Sequence, residues 1–474
     1  MTRGLSFSKL AEGLLLGAVA VCALVMPAAS DTYWHLRAGQ EIWQTLHVPL
    51  ADHYSYTAEG RFWPNHEWLW QALSYALHRG GGFPLLEAGG AAIVTGAVAL
   101  MYRLMVGSIG TRALLIVLGL PLVSCAWALR PQLITQLMLM AVLWLLSRER
   151  YRWLPPLFLV WANAHGGVAM GGVVLAVVTP AALARARGGA AADVRRARAL
   201  AVVTPLCALA TLATPLGIRL WTAIAVSIRE SHDNGIAEWR SSLELGPFQI
   251  TFWVLAGAFV VLVLARRRRL RAASWADLVI WLAALVIFPL AVLAVRNTTL
   301  FLLVATPAAS RLLGPDFGLR RRPSDAARSP DRPALNLGLF AAVCLAEGLA
   351  VVTAWRAPYA NLNWRPLADG AVAAARDCPA QLYNRYNDGG YLIWLVPEKR
   401  VFVDNRQDPY PTAFVQEGAA VERGAPYAPL FRRHGIRCAF LPAGDTLAAR
   451  LQSDGWRTQY ADAQWTVLAS GSRP

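Results

Sequence analysis

The sequence predicts a polytopic α-helical membrane protein of about eleven transmembrane helices, followed by a small C-terminal extracytoplasmic α/β domain. Three observations predict it. The 474 residues are 56% hydrophobic and 16% charged, against roughly 25% charged in soluble domains. Apolar runs of membrane-spanning length recur from residue 10 to residue 355. Arginines gather in alternate loops: 3–9, 103–112, 148–152, 185–198, 266–271 and 311–332 hold 23 of the 45 basic residues. Loops enriched in Lys and Arg mark the cytoplasmic side.

The expected spans lie near 9–28, 83–102, 112–129, 131–147, 153–164, 167–185, 198–214, 247–265, 275–294, 298–313 and 335–355. The first is read as a retained helix, because no small-x-small cleavage site follows it. Segment 153–164 is short for a span and is expected to tilt or to break at Asn163–Gly167. Residues 65–79 are too polar at their start to span. They predict an amphipathic helix at the interface, with Trp68 and Trp70 at headgroup level. Residues 216–230 suggest a second one.

With a cytoplasmic N-terminus, an odd number of spans puts the tail outside. The basic loops then fall inside, against anionic lipid headgroups. The polar segments 29–65, Arg130–Gln132, Asn163–Gly167, 231–246, Arg296-Asn297 and the tail from 356 fall outside. The expected divisions are a transmembrane domain over 1–313 with a first external loop at 29–82, a cytoplasmic linker at 314–333, a last span at 334–358 and an external domain at 359–474. In that domain Val401–Val403 and Cys438–Leu441 suit short buried strands, 412–434 and 445–453 suit helices, and 456–469 suits a hairpin. The formal charge of +16 does not indicate nucleic acid, since no recognition fold accompanies the basic loops.

Cys22, Cys125, Cys207 and Cys344 lie in apolar runs and read as small core residues. Cys378 and Cys438 lie in the external domain, where a disulfide can form. The sequence leaves their pairing open.

Asp31 opens Asp31-Thr32-Tyr33-Trp34-His35-Leu36-Arg37, just beyond the first apolar run. Charge at a membrane face usually has a task, and a carboxylate or imidazole can take a proton from a hydroxyl. The plainer alternative is a carboxylate capping a following helix. Asp52, in Asp52-His53-Tyr54-Ser55, suits an ordinary turn. Arg296 ends one apolar run and precedes another, where its planar fork can bind phosphate or simply reach the interface. Arg130 has the same two readings. His165 precedes Gly166-Gly167, which lets backbone approach a ligand closely or makes a helix-end turn. Glu238, in an external loop, could hold an acceptor or a metal, or be solvated. No close His/Cys/Asp/Glu set has structural-zinc spacing, and no P-loop, GxSxG or dinucleotide fingerprint is present.

Three segments resemble the catalytic subunit of oligosaccharyltransferase, a GT-C glycosyltransferase. Asp31–Arg37 is similar to that family's first-loop motif, an Asp followed by aromatics and an Arg. Arg296-Asn-Thr-Thr-Leu-Phe-Leu-Leu-Val-Ala-Thr-Pro307 looks like its late helix. Asn387-Asp388-Gly389-Gly390-Tyr391, followed by Val401–Arg406, resembles its Trp-Trp-Asp-Tyr-Gly block and the Val-Asp-Asn strand after it.

The resemblance implies transfer of a sugar from a polyprenyl phosphate or pyrophosphate carrier, at the outer face of a bacterial inner membrane. Asp31 would be the base or acceptor-orienting carboxylate, with His35 and Glu238 as further catalytic candidates. Arg296, Arg130 and Arg37 would bind the donor phosphate. His66, Glu67, His165, Asp388, Tyr391, Asp404 and Arg406 would line the cavity or cover the acceptor. The family's acidic metal ligands of the second external loop are replaced here by Arg130-Pro131-Gln132, so no divalent metal or other cofactor is expected. Arg385-Tyr386-Asn387 replaces the family's paired tryptophans, so recognition of an Asn-x-Ser/Thr sequon is not implied, and the expected acceptor is an envelope glycan, a lipid or a protein. Two other classes remain open: another lipid-phosphate transferase, such as one for phosphoethanolamine, and a non-catalytic transporter or assembly protein for envelope glycans. The first lacks a recognisable nucleophile, and the second lacks the internal symmetry common in transporters.

Overall fold

The computed structural model describes residues 6–315, 333–356 and 362–471. The expected linker at 314–333 lies mostly outside them. In chain order the helices are α1 (Phe7–Ala23), α2 (Ser30–Thr45), α3 (Trp68–Leu104), α4 (Ile109–Ser124), α5 (Gln132–Ser147), α6 (Leu154–Ala164), α7 (Val168–Ala186), α8 (Ala191–Ala210), α9 (Arg219–Asp233), α10 (Pro247–Ala265), α11 (Arg267–Arg271), α12 (Trp275–Leu293), α13 (Thr298–Leu313) and α14 (Pro333–Arg356). After these come α15 (Asp369–Arg376), β1 (Gln381–Asn384), α16 (Gly389–Leu395), α17 (Thr412–Glu422), α18 (Ala428–His434), β2 (Ile436–Pro442), α19 (Thr446–Ser453), β3 (Arg457–Ala461) and β4 (Trp465–Ala469).

All eleven apolar segments are helical. Among the described residues five helices are long and apolar enough to cross a membrane: α3, α7, α10, α12 and α14. α4 and α5 are apolar but shorter. The chain divides into two compact units. One comprises 1–26, 84–217 and 237–357; the other comprises 27–83, 218–236 and 358–474.

The first unit is a helical bundle. The end of α12 is pinned to the loop before α10: Ser242 N–H and Ser241 Oγ donate to Val292 O at 3.0 and 2.9 Å, and Val295 N–H donates to Arg240 O at 2.9 Å. A short 3₁₀ turn, Val295–Asn297, then carries the chain into α13. Segment 153–164, expected to tilt or break, forms the eleven-residue α6 and ends at His165 in extended backbone.

The second unit is built on a four-stranded sheet in the order β1-β2-β4-β3, with β1 and β2 parallel and the other pairs antiparallel. Side chains alternate across it. Leu382, Cys438, Phe440 and Val467 join one core with Trp34, Tyr54 and Trp63. Tyr383, Ala439, Leu441 and Leu468 join the other, with Ala58 and Phe402. The first-loop segment therefore folds as part of the C-terminal α/β body. Cys378 and Cys438 pair as a disulfide across 60 residues, a closure that stabilises by about 4 kcal/mol in the chain-entropy account.

Two expectations change. Val401–Val403 is not a strand of the sheet; only Val401 makes a bridge, to Ser55. The Asn384 side chain substitutes for a neighbouring strand by accepting from Phe402 N–H at 2.8 Å and donating to Val403 O at 2.6 Å. Segment 412–434 is two helices, parted by Arg423–Tyr427, with Gly424 at φ 111°. The polar helix expected at 65–79 begins α3 and ends at a kink, where Gly82 takes φ 65°, a conformation open to glycine.

Arg406 is fully buried. It donates to Asp404 through Nε at 2.8 Å and Nη2 at 2.7 Å, and to Asp52 through Nη2. Tyr54 and Trp63 both pack against it, their ring centroids 4.9 and 4.7 Å from its Cζ. Asp52 also accepts from the backbone of Tyr54 and Ser55, so the turn read from the sequence exists and carries a buried ion pair as well. Replacing one partner of a buried pair strands the other charge, at a cost of about 3–5 kcal/mol. Arg406→Met should therefore lower the thermal unfolding midpoint of the purified protein sharply, and an unchanged melt would contradict this role.

Candidate functional site

Asp31 sits in the first turn of α2. Ala29 N–H donates to Thr32 Oγ1 at 3.1 Å and closes that turn. The helix dipole favours a carboxylate there. Asn405 Nδ2 donates to Asp31 Oδ1, and Asn405 Oδ1 accepts from Trp34 Nε1 at 3.1 Å. Because Trp34 can only donate, it fixes the amide so that the NH2 group faces Asp31. Asn405 lies between Asp404 and Arg406, so the buried ion pair sets its backbone. Gly390 is needed behind it: a Cβ there would collide with Ser30 O.

The His35 ring lies against its neighbour Trp34, ring centroids 3.6 Å apart and tilted by 35°. Its Nε2 is 3.7 Å from Glu67, which lies 3.8 Å from His66 Nε2 on its other oxygen. Asp408 is beside this group. Burial pushes its carboxyl up, opposed by His66 and reinforced by Glu67. Tyr391 Oη accepts from Asn363 Nδ2 at 2.9 Å, and its ring meets Tyr33 edge-on at 5.2 Å. The second unit thus gathers Asp31, His35, His66, Glu67 and Tyr391. Arg37 lies nearly two turns further along α2 than Asp31 and donates to Gln40 Oε1 at 2.8 Å. Asp404 and Arg406, expected to cover an acceptor, are instead shut inside the core with no side-chain exposure. Their task is to hold the loop that bears Asn405.

The first unit gathers a second group. Glu238 lies in a 3₁₀ turn, Ala237–Trp239. Its carboxylate accepts from Arg130 at 3.4 and 3.5 Å and from Arg296 Nη1 at 3.2 Å. The Trp239 ring lies under Arg296, 4.4 Å from Cζ to centroid. Burial pushes the Glu238 carboxyl up, but Arg296 and then Arg130 outweigh it and hold it below the usual carboxylate value. His165 belongs to the same unit. Its Nδ1 accepts from Gly167 N–H at 3.1 Å and faces Thr135 Oγ1 at 2.7 Å, while Trp161 Nε1 donates to Thr135 Oγ1 at 3.0 Å. With Nδ1 accepting, the neutral ring carries its proton on Nε2.

A divalent cation does not fit here. Where the resemblance would place acidic ligands stands Arg130, engaged with Glu238, and two guanidiniums repel a cation. Among the described residues no group of three or more His, Cys, Asp or Glu is arranged to hold a metal ion.

Asp388 precedes α16, and its Oδ2 is buried with no hydrogen-bond partner. Burial first, opposed by Arg385 and reinforced by Glu422 and Asp445, pushes its carboxyl up to about 7. Asn405 was not among the residues singled out from the sequence. Its signal is its place beside an Asp-x-Arg pair, but its contact with Asp31 spans 374 residues.

No protein-family model matches the chain, and no curated protein matches its sequence. Solved structures do match in fold. The archaeal oligosaccharyltransferase AglB from Archaeoglobus fulgidus, in complex with an inhibitory peptide and a dolichol-phosphate, has a TM-score of 0.57 at 14% identity, over 91% of this chain and 69% of that one. ArnT from Cupriavidus metallidurans, bound to undecaprenyl phosphate, has a TM-score of 0.53 at 14% identity, over 98% of each chain.

A folded carboxyl titrating above its unfolded value stabilises below the unfolded pKa, and that stability is lost as pH rises through the folded one. The unfolding midpoint should therefore fall between pH 5 and pH 8. Asp388→Asn should flatten that fall by roughly 2 kcal/mol, and an unaltered pH dependence would contradict the raised value. This chain shares the fold of both of these structures, and that fold is GT-C.

Proposed function

We propose that the protein is a membrane glycosyltransferase that moves a sugar from a polyprenyl-phosphate-type carrier to an extracytoplasmic acceptor. The observation that carries this is the convergence of Arg130 and Arg296 on one carboxylate in a chain with the GT-C fold. Paired guanidiniums are suited to a phosphate, whose negative charge grows as the sugar leaves. ArnT, of the same fold, was solved with undecaprenyl phosphate.

In this reading the acceptor is a hydroxyl of a glycan, lipid or protein. Its oxygen bonds to the sugar's anomeric carbon while the bond from that carbon to the phosphate oxygen breaks. Asp31 takes the hydroxyl proton. The carrier leaves as polyprenyl phosphate, with Arg130 and Arg296 neutralising its charge. Asn405 is a positioning residue that aims Asp31. His35 is buried next to it on α2, and Glu67 and His66 extend the polar group toward where an acceptor would lie. Arg37 is partly buried on α2, with Nη1 donating to Gln40, and its remaining N–H groups could serve a donor phosphate.

Asp31→Asn should abolish sugar transfer while the protein inserts and remains stable. Asn405→Leu should lower kcat more than it raises KM. Full transfer by Asp31→Asn would remove Asp31 from the chemistry. We also propose a bacterial inner-membrane location with the N-terminus cytoplasmic and the C-terminal domain outside. A reporter fused after residue 471 should be active only outside the cytoplasm, and activity inside would overturn the orientation.

A further inference from the structure

The two guanidiniums expected to take the carrier's phosphate already share an anion. Glu238 spans both, yet holds them loosely. Its contacts are 3.2, 3.4 and 3.5 Å, where tight charge-assisted bonds run to about 2.7–2.9 Å. All three side chains are part-exposed, so another anion can reach them. The arginines have support that does not depend on Glu238. Arg296 lies over the Trp239 ring, and its turn is fixed by Val295 N–H on Arg240 O and by Asn297 Nδ2 on Leu290 O at 3.0 Å. Arg130 begins the turn into α5, with Leu133 N–H donating back to its carbonyl at 3.2 Å. Displacing Glu238 would therefore leave both backbone positions fixed and the Arg296 guanidinium still seated on Trp239.

We propose that Glu238 is a built-in competitor for the carrier phosphate: its carboxylate holds Arg130 and Arg296 and yields them to a phosphate, then reclaims them as the phosphate departs. This rests on the reading that the two arginines take the phosphate. The chemistry creates a need for such a device. A sugar phosphodiester donor carries one negative charge. The released monoester carries about 1.5 to 2 near neutral pH, so two guanidiniums hold the product more tightly than the substrate. An internal carboxylate that competes for the same donors weakens both and speeds product release. Glu238 is thus a regulatory anion of the donor site, and no proton needs to pass through it.

The test is direct binding of undecaprenyl phosphate to the purified full-length chain in nanodiscs, without any transfer reaction. Glu238→Gln keeps the side-chain shape and removes the charge. It should tighten binding up to about fivefold, the worth of one part-exposed ion pair, and Glu238→Ala should act in the same direction. Multiple-turnover rate should fall through stronger inhibition by product. Arg130→Ala and Arg296→Ala should weaken binding. In the unaltered protein, carbodiimide labelling of Glu238 should rise when undecaprenyl phosphate saturates the site, a readout independent of whether a variant folds. Unchanged or weaker binding by the Glu238 variants, or labelling that does not rise, overturns the competitor role while the arginines remain the phosphate site. Unchanged binding by both arginine variants overturns the phosphate reading itself.

Discussion

The buried contact of Arg406 with Asp52 and Asp404 is the constraint on which the second unit depends. Three ionised groups inside a core are costly unless each is satisfied. Here Asp404 also accepts from Tyr410 Oη at 2.6 Å, and Asp52 accepts from the backbone of its own turn. Two aromatic rings close over the guanidinium. The cluster joins residues 52 and 406, so the first-loop segment and the C-terminal domain form one body. Asn405, caught between two members of the cluster, has little freedom of backbone. Its amide, turned by Trp34, can then orient Asp31. A buried electrostatic cluster thereby becomes the placement of a single carboxylate.

Under the proposed function the first unit meets a different demand. A phosphate leaving group needs positive charge that is in place before the bond breaks. Arg130 stands at the head of one apolar helix and Arg296 in the turn before another, and neither can retreat into hydrocarbon. Glu238 keeps the pair from repelling each other and lowers the cost of holding two cations close together. In the proposed role the same carboxylate also makes the site selective, because only an anion able to outbid it gains both guanidiniums.

Much of the fold was legible in the sequence. Apolar length gave the eleven apolar helices of the bundle their places, though the short, arginine-rich α11 read as a loop, and the hairpin at 456–469 and the strand at Cys438 followed from short-range pattern. The candidate residues were legible where charge stood beside an apolar run: Asp31, Arg130 and Arg296. What pattern could not supply was pairing across long separations. Nothing local reveals that Cys378 meets Cys438, that Asp52 meets Arg406, or that Asn405 reaches Asp31. The same blindness assigned Asp404 and Arg406 to an acceptor surface, because a charged pair in sequence looks alike whether it faces water or a core. Val401–Val403 read as a strand because its side chains are buried, yet an asparagine side chain satisfies its backbone.

The fold and the two groups of residues converge on one claim, that this protein consumes a lipid-linked sugar. The most direct measurement compares the polyprenyl-linked sugars and envelope glycans of cells with and without the protein. The account predicts that one sugar accumulates on its carrier when the protein is removed and that one glycan loses the same sugar. Carrier and glycan pools that stay unchanged would contradict it.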